Sequence, residues 1–459
     1  MAATADKFAR LAALKPVRAA ARKPSERRAP EEADILARLL GAEVSRNHHG
    51  EHLAIRNWYS TPHFEPPSGE AIELLSCGRD EALSRQMRRA LEDPEKWLFL
   101  DTETTGLAGG TGTYAFLVGL GWWDSGGLQV EQFFMRDFAE EYPLLHELAQ
   151  RIAERPVLVT FNGKAFDWPL LENRFTMTRS IRAPKLAAHL DLLHPARALW
   201  RMRLGSVRLV ELERYVLEPT QLGWQRDEDI ASSLIPQYYF DFLREGATAP
   251  ILGVVRHNQL DVRGLAALFA KINAMLSAEP YSQPEVASLD LFGLSRFLQR
   301  RGKPLKARKA CAEAVERGLP GEHDEQARRD LAYLARREGE HARAAAIWEE
   351  LLGSVDHGIE ACERLAIHAE RYEKNAAQAM EYAELGLAKI RQQIRRERFV
   401  TARLMGFEKR LEKRLGRLRR KTSLIVPLLE AVKDGKSNTS ASYSSGEPTE
   451  RALRLTRIS

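Results

Sequence analysis

The sequence predicts an α/β domain, a mixed sheet with helices packed on it, followed by an all-α helical-repeat domain. Three observations carry this. From Trp97 the apolar residues make a meander of strands, "WLFLDTE", "GTYAFLVGLGWW" and "LQVEQFFM", separated by Gly-rich turns. The pattern then alternates between helix and strand. Beyond residue 280 it becomes a helix-pair repeat with a period of about 35 residues, closest to the tetratricopeptide type.

The chain accordingly divides into a flexible basic arm (1–30), a small N-terminal module (31–96), the α/β domain (97–276), repeats (280–400), a basic amphipathic helix (401–433) and a tail of disordered composition (434–459). In the first module, "EEADILARLLGAEV" has helical apolar spacing and "GEHLAIRNWYS" reads as a strand. "TPHFEPPSGE" reads as a turn-rich connector, and a second helix is expected from about Asp80 to Leu91. After the meander come a helix at "EEYPLLHELAQRIAE", a strand at "PVLVTF", the turn "NGKAFD" leading into a helix, and a strand within "KLAAHLDLLH". Helices continue to about Met275. The basic helix carries an apolar stripe, Leu404, Phe407, Leu411, Leu415 and Leu418, which implies that it packs on something, as a cap of the repeats would.

Composition narrows the function. At 459 residues, 44% hydrophobic and 29% charged, the chain reads as multi-domain globular protein. A net charge of +6 permits a polyanionic partner. The cysteines, Cys77, Cys311 and Cys362, form no CxxC pair, which argues for a reduced compartment and against thiolate zinc. No apolar run reaches the length of a membrane span, and the N-terminus has no h-region, so a cytoplasmic protein without membrane contact is expected.

The chemistry lies in acids at apolar places. Asp101 and Glu103 end a core strand on alternate residues and so point to one face. Asp167 follows a second strand at the start of a helix. Asp261 lies in an apolar helix whose inner face includes Val254, Leu265 and Leu268, with His257 one turn earlier. Four carboxylates at one sheet edge repel unless cations hold them. Hard oxygen donors suit Mg²⁺ or Mn²⁺, and two such ions suit phosphodiester hydrolysis. A nearby imidazole can take the proton from the attacking water.

"FLDTETTGL", "FNGKAFD" and "HNQLDV" resemble the three exonuclease motifs of the DEDD superfamily of RNase H-like nucleases. "TGLAGGTGTYAFLVGLGW" and "DLLHPARALWRMRLGSVRLVELE" look closer still to the YprB-like ribonuclease H-like proteins. The resemblance covers roughly residues 95–275. It implies an RNase H-like mixed sheet and 3′–5′ removal of nucleotides from single-stranded DNA or RNA with two Mg²⁺ or Mn²⁺. Asp101 would serve both ions, Glu103 and Asp261 the first, Asp167 the second, and His257 the base. His257 departs from the histidine-type pattern, standing four residues before Asp261, where the tyrosine branch has tyrosine.

Plainer roles compete at each position. The acids could pair with arginines, and Asp167 could cap a helix. Asp191 suits a structural or supporting hydrogen-bonding role, and Lys164 a solvated loop. "GLAGGTGTY" lacks the GKS or GKT ending of a triphosphate loop. His48, His49, His52 and His63 cluster in sequence, without the Cys partners or helical pairing of a strong metal signal. The rival function is a non-catalytic nucleic-acid-binding scaffold whose repeats recruit a protein partner. Endonucleolytic cleavage by the same ions is a third.

Overall fold

A computed structural model describes residues 30–60, 68–76, 85–106, 112–217, 223–224, 226, 229–277, 283, 285–397 and 400–434. The arm, the tail, His63, Cys77 and most of the Gly-rich loop lie outside these residues. The chain separates into two compact units, one ending at Lys303 and one beginning at Pro304.

In chain order the first unit contains α1 (Pro30–Leu40), β1 (Ala42–Asn47), β2 (Gly50–Ser60), α2 (Gly69–Ser76), α3 (Arg85–Glu92), β3 (Trp97–Thr104), β4 (Ala115–Asp124) and β5 (Gly127–Phe134). Then follow α4 (Glu141–Glu154), β6 (Val157–Thr160), α5 (Asp167–Thr178), β7 (Ala188–Asp191), α6 (Leu193–Leu204), α7 (Ile235–Glu245), α8 (Ala249–Ser277) and α9 (Ser288–Arg300). The strands form one seven-stranded sheet in the order β1-β2-β5-β4-β3-β6-β7. From β1 to β3 the neighbours are antiparallel, and β3, β6 and β7 run parallel. This is the expected mixed sheet with helices.

Two readings of the N-terminal region need correction. The stretch taken as a separate module supplies β1 and β2 to the same sheet, because β2 pairs with β5 from Leu53↔Phe134 to Ser60↔Gly127. The end of the supposed connector starts a helix. The Ser68 hydroxyl accepts from Ala71 N–H at 3.1 Å and so caps α2. Asn273 of α8 accepts from Ser68 N–H at 3.1 Å, and Ala71, Ile72 and Leu74 are buried. The helix expected from Asp80 is described from Arg85.

Strand β3 explains the placing of the site. Trp97, Leu98, Phe99 and Leu100 are all buried, so both faces of the strand are covered. Phe269 of α8 lies against Trp97 and Phe99, with ring centroids 4.7 and 6.2 Å away. Side chains alternate, so Asp101 and Glu103 share the face that α8 covers. α8 lies close there because β4 has glycines beneath it. A Cβ on Gly119 would come within 2.2 Å of Asn258 Oδ1, and one on Gly121 within 2.7 Å of Val262 Cγ1.

The helix expected to open the first repeat, α9, belongs to the first unit, where it packs on α6. A Cβ on Gly293 would lie 2.6 Å from the Ala198 and Leu199 carbonyls. The second unit is all helical: α10 (Pro304–Glu316), α11 (Gly321–Arg337), α12 (His341–Glu350), α13 (Gly358–Arg371), α14 (Ala376–Glu397) and α15 (Ala402–Asp434). The predicted stripe on α15 is buried, with Leu404, Phe407, Leu411 and Leu415 packed on Ile359, Leu387 and Ile390 of α13 and α14. Much of its positive face is paired, Arg410 with Glu363 and both Arg414 and Arg417 with Glu370.

Candidate active site

Register runs a polar line across the sheet. Asp101 of β3 faces Gly119 of β4, which faces Gln132 of β5. Asn258, fully buried on α8, bridges them across the glycine. Its amide donates to Asp101 Oδ2 at 2.8 Å, and its carbonyl oxygen accepts from Gln132 Nε2 at 2.8 Å. Gln132 also donates to the Val255 carbonyl at 2.9 Å. Asp101 is thereby held by a neutral donor, the Asn258 amide, which Gln132 fixes in turn. A shift in the β3–β4 register between Glu103 and Thr104 ends regular pairing just past the second acid.

Asp167 is the first residue of α5, yet it does not cap that helix. Phe166 occupies the N-cap position, with no side-chain cap bond. The Asp167 carboxylate instead accepts from the Thr102 hydroxyl, on the strand residue between Asp101 and Glu103. The preceding turn is tightly made. Asn162 has φ of 69°, and a Cβ on Gly163 would lie 2.5 Å from the Thr160 side chain. Asp191 shapes the turn as expected of a supporting residue, accepting from the Asn162, Lys164 and Leu193 amides at 2.8, 3.2 and 3.0 Å. The Lys164 side chain is solvent-exposed, as the plainer reading had it.

α8 brings His257 and Asp261 to the same place. His257 Nε2 lies 3.4 Å from Asp261 Oδ2 and 4.0 Å from Glu103 Oε1. One potential ligand atom from each of these three residues lies within 4.8 Å of the others. His257 Nδ1 is hydrogen-bonded to Asp229 Oδ1 at 2.7 Å. With the proton on Nδ1, Nε2 is an acceptor, and the Ser232 hydroxyl lies 3.4 Å from it.

Arg226 was not anticipated. Its guanidinium donates to Glu213 at 2.5 and 2.7 Å, to Asp229 at 2.9 Å, and to Asp261. Gly264 makes room for Glu213, whose Oε1 would be 2.0 Å from an added Cβ. The arginine reading is therefore correct for one of the four acids.

The charge balance separates the others. Burial, then the neighbouring Asp261, Glu103 and Asp167, pushes Asp101 well above the usual carboxylate range, opposed by the Asn258 hydrogen bond. Burial, then Asp261, Asp167 and Asp229, raises Glu103. Burial raises Asp167 against the Thr102 hydrogen bond, with Asp191 adding to the rise. Asp229 goes the other way: burial raises it, but His257 and Arg226 outweigh burial and hold it low. Among the described residues no lysine or arginine forms an ion pair with Asp101, Glu103 or Asp167, although Arg226, paired with Asp261, partly offsets the rise of Glu103. An oxygen-seeking divalent cation fits that deficit.

Residues 98–273 match the model of the RNase H superfamily. The first unit contains an RNase H-like domain. The chain is also 29% identical over 323 residues, 70% of its own length and 76% of the relative's, to the uncharacterized protein YprB of Bacillus subtilis (strain 168).

Within this RNase H-like domain the structure brings Asp101, Glu103, Asp167, His257 and Asp261 together. Sequence reasoning missed Asn258, Gln132, Thr102, Asp229, Arg226 and Glu213. Asn258 had a signal, an amide on the apolar face of α8. Asp229 and Arg226 had none, because "WQRDEDI" shows no period. The histidine cluster divides differently from its order in the chain. His52 is buried, its ring 5.1 Å from that of Phe133, while His48 and His49 meet His146. Among the described residues no helix is long and apolar enough to cross a membrane.

Proposed function

We propose that the RNase H-like domain is a metal-dependent nuclease, a 3′–5′ exonuclease acting on single-stranded DNA or RNA ends with two Mg²⁺ or Mn²⁺. The observation that carries this reading is the gathering of Asp101, Glu103 and Asp167, without a lysine or arginine ion pair among the described residues, beside an imidazole whose Nδ1 is held by Asp229 and whose Nε2 lies 3.4 Å from the Ser232 hydroxyl. Asp101, Glu103 and Asp261 would hold one ion, and Asp101 with Asp167 the other. Ions held there would supply positive charge to offset that of the phosphodiester during hydrolysis.

The chain's own groups do the rest. Asn258 orients Asp101, Thr102 orients Asp167, and Arg226 orients Asp261. His257 accepts the proton of the attacking water at Nε2, while Asp229 keeps the tautomer and stabilises the imidazolium that forms. The helical unit would recruit a partner on its tetratricopeptide-like pairs.

A second reading, a nucleic-acid-binding scaffold, is favoured by one observation. The Arg226 guanidinium already neutralises Asp261 without a metal. The two readings differ in product. Incubation of 5′-labelled single-stranded DNA and RNA with Mg²⁺ or Mn²⁺, an EDTA control and Asp101→Ala alongside, is expected to produce a metal-dependent ladder that the variant lacks. Intact strands bound in salt-sensitive fashion by folded wild type would select the scaffold. Cleavage of a circular strand would replace end trimming by internal cutting.

A further inference from the structure

Away from the carboxylates, folding gathers three imidazoles. His48 and His49 form the turn of the β1–β2 hairpin, and His146 stands on α4. The ring centroids are 4.0 Å apart for His48 and His49, 4.5 Å for His48 and His146, and 5.1 Å for His49 and His146. One ligating nitrogen from each residue lies within 4.8 Å of the other two.

This turn is anchored to the helix. The Asn47 amide donates to the Pro143 carbonyl of α4 at 2.9 Å, and its side-chain oxygen accepts from His49 N–H at 3.0 Å. Gly50, with φ of 134°, packs beside the Pro143 ring, which an added Cβ would meet at an ordinary contact distance of 3.5 Å. His146 follows on the next turn of α4, its Nε2 3.1 Å from the Gln150 amide. The turn that carries His48 and His49 is thus tied to α4 by contacts that do not depend on a metal.

We infer that His48, His49 and His146 form a binding site for a borderline transition-metal dication of the Zn²⁺ type. An all-imidazole donor set suits Zn²⁺, Ni²⁺ or Cu²⁺ and is poor for Mg²⁺ or Mn²⁺. Three protein ligands leave a position for water. β1 is an edge strand, and a metal here clamps its hairpin to α4. Stacking of the rings without a metal is the alternative.

The test is titration of the chelator-stripped full chain with Zn²⁺ by calorimetry under saturating Mg²⁺. Mg²⁺ fills the oxygen donors of the carboxylate cluster and competes poorly for imidazole. One Zn²⁺ per chain is expected, with affinity at least about tenfold weaker in His146→Gln and in His48→Gln, since loss of a direct ligand exceeds the loss of a supporting group. His48 is exposed, so that variant keeps its fold. His194→Gln, at an exposed histidine on α6, should bind as wild type does, and Zn²⁺ should raise the melting temperature of wild type alone among the site variants. Absence of Zn²⁺ binding by wild type overturns the site. Binding unchanged in both His146→Gln and His48→Gln assigns it to the carboxylates and overturns it equally.

Discussion

Asn258 reaches the Asp101 carboxylate, 2.8 Å away, across a glycine whose Cβ would come within 2.2 Å of the Asn258 side chain. The orientation of the Asp101 carboxylate therefore depends on Gly119 having no side chain. Gly119→Ala should destabilise the protein by about 1–3 kcal/mol through overpacking. It should also lower nuclease activity beyond what the loss of stability explains. Urea denaturation and strand-cleavage assays on the same preparation separate the two effects. Stability and activity both equal to wild type would show that α8 shifts to accept the methyl group.

Arg226 is the charge centre on the α8 side of the cluster. Its side chain is 8% exposed, and that of its partner Glu213 is 3% exposed. Burial outweighs the guanidinium and raises Glu213 even so, which marks the pair as dependent on both partners. Arg226→Met leaves Glu213 and Asp261 uncompensated and should cost about 3–5 kcal/mol of unfolding free energy. Adding Glu213→Gln should recover part of it. A loss below 1 kcal/mol in denaturant titration would count against a buried network.

Asp229 acts through His257. If the imidazole is the base, Asp229→Asn should reduce kcat by about 10²–10⁴-fold, the range of general base catalysis, with little change in KM. His257→Ala combined with it should lose little more, because the two act as one unit. Additive losses in the double variant would separate Asp229 from the histidine.

His52 sets a separate pH dependence. Its imidazole is pushed down to about 4, chiefly by burial, and neither ring nitrogen has a hydrogen-bond partner among the described residues. The unfolded chain takes up this proton near pH 6.5, so stability contributed by the neutral ring falls as pH drops from about 6.5 to about 4, by roughly 2–3 kcal/mol. His189, also pushed down to about 4 mainly by burial, acts in the same direction. The raised carboxylates Asp101, Glu103 and Asp167 act oppositely, losing stability as pH rises above their ordinary range. His52→Leu should remove its share of the acid loss and raise stability at neutral pH by about 1 kcal/mol, by deleting unsatisfied polar atoms. Denaturant unfolding of both proteins between pH 4 and 8, about the range over which histidine titrates, checks this. Parallel curves would show that the ring is solvated.

The most legible parts of the sequence were those with a strong local period. The apolar run of β3 located the strand that ends in Asp101 and Glu103, and the stripe on α15 is buried where spacing put it. α2 was missed because a proline-rich approach masked the Ser68 cap. β2 was set apart because strand pairing is not written in one strand alone, and β1 was not read as a strand, its start lying in the stretch read as helical. The histidines of the hairpin turn carried little signal without His146, almost a hundred residues on.

A local repeat of two or 3.6 residues decides which way a side chain points from its own element. That alone put Asp101 and Glu103 on one face, and His257 beside Asp261. It says nothing of what stands opposite. Only packing decided that Asp101 meets an amide, Asp167 a hydroxyl and Asp261 a guanidinium. Those partners come from distant segments, and they meet through strand register, the closeness that Gly119 and Gly121 permit, and the path of an irregular loop. Charge made a cluster necessary; tertiary contact decided which of its members are left without a counterion.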